Sequence, residues 1–438
     1  MARPGMILRV RRWLFRLLRR VMLLVVTALL LQYSSFPLDS TWNRVSLLLG
    51  NQQFDYVSWE LDALAVKIGQ TLYGLHPFLT ETDRSARVRA YMEDLRRAQS
   101  LEAQISTLYA DPRQLDPDTA SIDLRAERDA LRARLAAEQP LIEAILEGQV
   151  AAVLVEQGFG TLGQILPPVS AHFTQVPNLL VVSPRDTIRF EVSINLDPLT
   201  TDAITALEQQ VEAAEDVSAL VVPLGGIALY PAMILETASI PNALDTIAHE
   251  WLHHYLFAFP LGLAYFSGDG FVGETRVINE TVAANFGQEM SRLVLARYYP
   301  DLLPPPTPTP TVSPARPPTP PMPPSLPVFD FGRTLDATRR RVDQLLAAGQ
   351  VEEAETYMET QRRVFAENGY LIRRLNQAFF AFYGGYQAGW TAGAGGADPI
   401  GPAVRAIREA SPSLHEWIIA LRSITTRDQL LALAETKR

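Results

Sequence analysis

The sequence predicts a helix-rich α+β protein with a small sheet, a helical hairpin and a proline-rich insertion. Apolar residues recur at three- and four-residue spacing over residues 85–154 and again after residue 334, which is typical of packed helices. Residues 178–194 alternate apolar and polar side chains on either side of a turn at residues 183–186, which is typical of strands. At 438 residues and 47% hydrophobic composition, the chain can bury one large or two moderate cores.

Residues 1–36 have the composition of an export sequence. Seven arginines and no acidic residue lie within residues 1–20, and an apolar run follows from Val21 to Leu31. A basic stretch before an apolar run predicts that the arginines stay cytoplasmic while the rest of the chain is exported. We expect a single-pass signal anchor in the cell membrane with an extracytoplasmic body, or a secreted protein if the segment is cleaved as a signal peptide.

Two properties of the composition exclude whole classes of function. The chain has no cysteine, which excludes disulfides and thiolate metal sites. Without the seven N-terminal arginines, 32 basic groups stand against 48 acidic groups, and such a body is repelled by phosphate backbones. We therefore expect no nucleic-acid partner.

The segments that follow are expected to build the body of the fold. Residues 40–80 are apolar-rich and predict helices, and a break at residues 110–118 predicts an antiparallel helical hairpin over about residues 85–154. A helix is expected at residues 202–214, after the strands.

Val217 to Leu235 is a stretch of nineteen residues without a charge, which is long enough to suggest a membrane span. A span here would indicate an intramembrane protease. Pro223, Gly226 and Pro231 interrupt the stretch, however, and favour two buried strands, or a strand and a loop.

The motif that carries the functional prediction is His249-Glu250-Trp251-Leu252-His253, which reads H-E-x-x-H. On a helix, residues four apart lie on one face, so the imidazoles of His249 and His253 can hold one Zn²⁺. Glu250 is then placed to take a proton from water at the open position of the metal. Pro241-Asn242 predicts the helix start, with Asn242 as its N-cap. The alternative interpretation is a core helix with two buried histidines and no metal.

A catalytic zinc also needs a third protein ligand. The downstream candidates are His254, Asp269, Glu274 and Glu280. His254 lies about 100° further round the helix than His253 and points elsewhere, while Asp269 sits in a turn. Glu280 lies on a second amphipathic helix, before small residues that allow helices to approach closely. It is preferred over Glu274, the alternative third ligand, which could instead form a salt bridge with Arg276.

H-E-x-x-H followed on the next helix by N-E-x-x-A resembles the gluzincin metallopeptidases. The clear resemblance covers roughly residues 217–300. It implies His249, His253 and Glu280 as zinc ligands and Glu250 as general base, and we expect a zincin-like catalytic domain over residues 37–303. Many gluzincins carry an aspartate four residues after the ligand glutamate. This chain has Ala284 there and Asn285 next. Either Asn285 or another acid orients a ligand histidine, or the surroundings of the ligands are built differently.

The resemblance also implies how a peptide would bind. In zinc peptidases a strand beside the active-site helix often pairs with extended substrate, and Ala219–Val222 is the candidate here. Such enzymes need a group that stabilises the developing oxyanion, and Tyr383 and Tyr386 are the candidates. Their stretch, from Leu375 to Tyr386, bears a weaker resemblance to bacterial membrane-associated predicted aminopeptidases.

Pro304 to Pro327 holds thirteen prolines in 24 residues and is expected to be a disordered, extended insertion. The helical residues 328–438 are expected to complete the catalytic domain rather than to stand alone. The sequence thus predicts a zinc-dependent metallopeptidase that hydrolyses peptide bonds. The alternative is a metal-free zincin-like protein that binds or scaffolds partners at the cell envelope.

Overall fold

The computed structural model describes residues 17–27, 39–72, 79–110, 116–161, 163–199, 201–267, 273–303, 329–387 and 389–437. The chain divides into two compact units, Met1–Asn51 and Gln52–Arg438. In the first unit, helix α1 is described over residues 17–27, and α2 spans Thr41–Leu49. The second unit contains the strands and the candidate functional residues.

The predicted single-pass membrane anchor is wrong. Across the described ranges, none of the helices combines the length and the apolar character needed to cross a bilayer, for which about 20 apolar residues are required. Of the predicted anchor, residues 1–16 and 28–36 lie outside the described residues. Val217–Leu235 forms short strands rather than a membrane helix.

The predicted helical hairpin is present. Helix α4 spans Glu81–Ala110, α6 spans Ile122–Glu156, and the short α5, Pro117–Ala120, lies between them. Apolar residues of α4 and α6 pack together in one hydrophobic cluster: Val88, Tyr91, Leu95, Leu101, Leu131 and Leu135. Helix α3, Tyr56–Leu72, precedes the hairpin.

In the residues that the structure describes, six short strands form two three-stranded sheets, where a single small sheet was expected. The strands are β1 (Ala171–Thr174), β2 (Asn178–Pro184), β3 (Val192–Leu196), β4 (Val217–Pro223), β5 (Gly226–Ile227) and β6 (Ala232–Leu235). The first sheet has the order β1-β6-β5, with β1 and β6 parallel and β5 antiparallel to β6. The second sheet is antiparallel, with the order β3-β2-β4.

The outer edge of β4 is closed by two carboxylates of helix α7, Thr201–Ala214. Glu208 accepts a hydrogen bond from Val221 N at 2.7 Å, and Glu212 accepts one from Ala219 N at 3.0 Å. Because its N–H groups are already paired, this edge cannot add a further strand. The prediction that Ala219–Val222 binds extended substrate is therefore wrong.

The outer edge of β1 is closed in the same way by α6. Glu143 accepts from Phe173 N at 2.8 Å, and Glu147 accepts from Ala171 N at 2.7 Å. Lys67 forms ion pairs with both carboxylates, at 2.7 Å and 2.8 Å. The pairing stabilises two charges that would otherwise be costly to bury.

Three helices carry the middle of the second unit. Helix α8 spans Ile240–Leu256, α9 spans Pro260–Phe266, and the long α10 spans Glu274–Tyr298. Helices α8 and α10 pack through fully buried side chains that include Leu244, Ile247, Trp251, Val282 and Phe286.

The described part of the C-terminal segment contains six α-helices: α11 (Phe331–Ala347), α12 (Val351–Glu367), α13 (Gln377–Gly384), α14 (Ile400–Glu409), α15 (Leu414–Leu421) and α16 (Arg427–Lys437). Its residues belong to two hydrophobic clusters. The first contains α4, α6, α8 and α10, and the second contains β2 and β4. Phe379, Phe380 and Phe382 pack with residues of β2 and β4, whereas Trp417 belongs to the cluster of α8 and α10. The predicted insertion, Pro304–Pro327, lies outside the described residues.

Candidate metal centre

Helix α8 presents the H-E-x-x-H motif as expected, but its cap differs from the prediction. The N-cap is Ser239, whose hydroxyl accepts from Asn242 N at 3.4 Å, and Pro241 lies in the first turn. Proline is tolerated there because the first N–H groups of a helix have no intrahelical acceptor. Asn242 therefore lies inside the helix.

Three side chains converge on one point between α8 and α10. His249 Nε2 and His253 Nε2 are 3.1 Å apart, and Glu280 Oε2 lies 3.4 Å from the first and 3.7 Å from the second. Among the described residues these three form the group of ligand atoms close enough to hold a metal ion. Two neighbours at a tetrahedral zinc, each about 2.05 Å from it, lie about 3.3 Å apart. The observed spacings bracket that value, and the donor set suits zinc.

Glu250 lies beside the triad, against strand β5. A Cβ added to Gly226 would lie 2.6 Å from Glu250 Oε1, so the absence of a side chain at Gly226 makes room for the carboxylate. Burial, reinforced by the charge of Glu280 and opposed by His249, raises the pKa of Glu250 to about 7. A general base is most effective when its pKa lies near the working pH.

The three ligand candidates have shifted pKa values in the metal-free protein. Burial would lower the pKa of His249, but its hydrogen bond with Glu280 and the neighbouring carboxylates raise it to about 9. Burial lowers the pKa of His253 to about 3. Burial would raise the pKa of Glu280, but His249, His253 and Arg276 hold it well below its usual range. One proton on His249 therefore partly compensates the carboxylates, and a bound cation would displace it.

The triad opens into a cleft of about 330 Å³. Strand β5 forms one wall, with Gly226 and Ile227. Further lining residues are Tyr56, Leu179, Leu224, Leu229, Phe266 and Tyr386.

The structure separates the two tyrosines proposed for the oxyanion. The ring of Tyr386 lies 6.5 Å from that of His249 and lines the cleft. Burial and then the charge of Glu280 raise the pKa of Tyr386, so its hydroxyl keeps its proton. The ring of Tyr383 packs against Phe379 at 4.5 Å and against Phe382 at 5.0 Å. Tyr386 is the better placed of the two.

The other predicted ligands lie away from this group. His254 donates from Nε2 to Leu229 O at 2.7 Å, which agrees with the expectation that it points elsewhere. Glu274 begins α10 and is not part of the metal-competent group. Asp269 lies outside the described residues. Asn285 donates to Thr281 O at 2.7 Å on its own helix, and no contact with a histidine is among its hydrogen bonds in the described residues.

Several residues that support the site were not predicted from the sequence. Asp245 lies one turn before His249, and its charge acts on that imidazole. The amide of Asn279, fully buried just before Glu280, lies beside His253. Arg276 pairs with Glu280, not with Glu274. Asp245 lies four residues before His249, and Arg276 lies four residues before Glu280. This spacing was the sequence feature that could have identified Asp245 and Arg276.

Comparison with protein-family models, with curated proteins and with solved structures found no match for this chain.

Proposed function

We propose that the chain is a zinc-dependent metallopeptidase of gluzincin type, with a zincin-like arrangement around α8 and α10. The observation that carries the proposal is the convergence of His249, His253 and Glu280 with Glu250 beside them. Two imidazoles and one carboxylate are a donor set of catalytic zinc sites that leave a position for water.

Each side chain has a distinct role in this proposal. Bound zinc would supply a Lewis acid and lower the pKa of its water to about 7. Glu250 takes the proton from the attacking water and passes it to the leaving amine. Tyr386 donates a hydrogen bond to the oxyanion that develops on the substrate carbonyl.

Strand β5 is the surface on which an extended peptide would lie. The outer edges of β1 and β4 are closed by carboxylates, and β3 pairs on its outer side with the segment around Gln53. Among the strands of the described residues, β5 has the remaining edge, and it borders the cleft. Main-chain pairing along β5 would bring a scissile carbonyl towards the triad.

Metal analysis and a peptide-library digest of wild type and Glu250→Gln test the proposal. We expect the variant to keep its zinc and to lose at least about 10²-fold in turnover, because only the general base is removed. Retained turnover would contradict the mechanism. A wild-type protein without metal would favour the metal-free binding alternative.

Glu280→Ala and Glu274→Ala form a matched pair for the ligand assignment. Loss of zinc is expected in the first variant alone, because Glu280 is within 3.7 Å of both histidines. The reverse outcome would move the third ligand to Glu274.

A further inference from the structure

The two carboxylate oxygens of Glu280 face different surroundings. Oε2 is directed at the histidine pair, at 3.4 Å and 3.7 Å. Oε1 accepts a hydrogen bond from the Tyr265 hydroxyl at 2.6 Å and lies 3.6 Å from Nη1 of Arg276. Glu280, His253, Tyr265 and Arg276 are buried, and the side chain of His249 is 15% exposed. The carboxylate is therefore divided between a metal side and a protein side.

Tyr265 is held in place by a second contact with the triad. Its ring stacks on the imidazole of His253, with centroids 5.4 Å apart and planes within 9° of parallel. It belongs to α9, between the helices that carry the histidines and the glutamate. One side chain thus contacts two of the three ligand candidates, from a different element than either.

Arg276 has two further contacts besides the one with Glu280. Its guanidinium lies 4.3 Å above the ring of Phe190, and it interacts with the Tyr386 hydroxyl. A buried guanidinium needs such partners because burying an unpaired charge is costly. Its position next to Oε1 therefore does not depend on a bound metal.

We propose that Tyr265 and Arg276 are positioning residues that clamp Oε1 of Glu280, so that this glutamate offers a metal only Oε2. The clamp orients the carboxylate before metal arrives and leaves room for water among the ligands. It rests on the proposed zinc site, which it deepens. Hydrogen-bond partners of metal ligands commonly set ligand orientation and metal affinity.

The test compares Tyr265→Phe with Tyr255→Phe. Both changes remove one phenolic hydroxyl and keep the ring, but the Tyr255 hydroxyl accepts from Arg422 at 3.4 Å and does not contact the triad. Zinc affinity is measured by chelator competition, and Co²⁺ absorption reports coordination number because the visible bands weaken as that number rises. We expect Tyr265→Phe to weaken zinc binding about 10- to 100-fold and to weaken the cobalt bands. Tyr255→Phe should change neither.

A second matched pair tests the arginine. Arg276→Lys and Arg422→Lys each remove a guanidinium that lies 4.3 Å above a phenylalanine ring. Only the first should weaken zinc binding, because a lysine at 276 cannot both cover Phe190 and reach Oε1. In the double variant Arg276→Lys/Tyr265→Phe, the loss of zinc affinity should be smaller than the sum of the two single losses in free energy, since both side chains act on Oε1 of Glu280.

The outcomes distinguish a failure of the proposed clamp on Glu280 from a failure of the proposed peptidase activity. If Tyr265→Phe keeps the zinc affinity and the cobalt bands of wild type, the clamp is overturned. A loss of zinc affinity with unchanged cobalt bands would also overturn it, because the bands report how many oxygens of the Glu280 carboxylate bind the metal. A wild-type protein that binds zinc but cleaves no peptide would remove the proposed activity while the comparison of variants still decides the clamp. A wild type that binds neither ion would overturn both.

Discussion

Glu250 occupies a space that exists only because residue 226 is glycine. The atoms around the missing Cβ of Gly226 are Glu250 Oε1 at 2.6 Å, Thr246 Cγ2 at 2.8 Å and Met233 O at 3.0 Å. A backbone oxygen on one side and the carboxylate on the other leave little freedom to adjust. Gly226 therefore determines where the proposed general base lies.

Gly226→Ala should lower turnover by about 10²-fold while zinc content stays unchanged, because a displacement of about 1 Å is enough to disturb a catalytic group. Gly225→Ala is the matched control, since its Cβ would meet no atom within 4 Å. Turnover and metal content are measured for both variants. Equal activity in the two would show that the position of Glu250 does not depend on this contact.

The proton on His249 predicts how zinc binding depends on pH. The pKa of His249 is raised to about 9 in the metal-free protein, and the imidazole must lose that proton to bind metal. Zinc affinity should therefore rise about tenfold per pH unit between pH 7 and pH 9 and level off above, as expected for the release of one proton.

Chelator competition at several pH values checks this dependence. In Glu250→Gln the rise should level off at a lower pH than in wild type, because the charge of Glu250 helps to raise the pKa of His249. An affinity that does not change over this range would contradict a protonated His249 in the metal-free site.

At the scale of elements, the spacing of apolar residues predicted the presence of individual helices and strands. The H-E-x-x-H helix, the hairpin and the strand at residue 178 were found as expected, because periodicity reports which face is buried. The apolar spacing after residue 334 did not define where the helices begin and end. Helix α13 begins at Gln377, with Asn376 as its N-cap, and α14 and α15 are two separate helices.

Contacts between elements were less accessible from the sequence. Tyr265 reaches Glu280 from a separate short helix, and no periodic pattern relates the two. The division into two sheets also depends on long-range pairing, for example of Ala171 with Ala232. Ala219–Val222 has the apolar composition of a substrate-binding edge. Its outward N–H groups are already bonded, however, since Val221 N donates to Glu208, thirteen residues before it, and Ala219 N donates to Glu212, seven residues before it.

The approach of α8 to α10 depends on Gly287. A Cβ there would lie 2.4 Å from Asp245 Oδ1, 2.8 Å from Asp245 O and 3.2 Å from His249 Cβ. Gly287→Ala should therefore separate the two helices, lower the free energy of unfolding by about 1–3 kcal/mol and weaken zinc binding, because the ligands lie on both helices.

Gly69→Ala on α3 is the matched helical control, because its Cβ would meet no atom within 4 Å. It should leave zinc binding unchanged and raise stability by up to about 1 kcal/mol. Urea unfolding of the metal-free proteins and chelator competition measure both quantities. Unchanged zinc affinity in Gly287→Ala would mean that the triad tolerates a shift between its helices.

At the scale of the whole molecule, the site draws on residues from both sides of the proline-rich segment. The triad and Glu250 precede it, whereas Tyr386, which lines the same cleft, follows it. The second hydrophobic cluster likewise joins β2 and β4 to α11, α12 and α13. If residues 328–438 were a separate accessory domain, we would not expect them to share a cleft and a hydrophobic cluster with the residues that precede the proline-rich segment.

A fragment of residues 37–303 should therefore aggregate and fail to cleave peptides. It would lose Tyr386 and expose the apolar residues of β2 and β4 that pack against Phe379 and Phe380. Replacing Pro304–Pro327 in the full chain by a Gly/Ser segment of equal length should preserve folding and activity, because the cost of closing a loop depends only weakly on its composition and length. Gel filtration, thermal unfolding and peptide cleavage compare the two proteins. A monomeric, active 37–303 fragment would instead make residues 328–438 a separate accessory domain and would exclude Tyr386 as a required oxyanion donor.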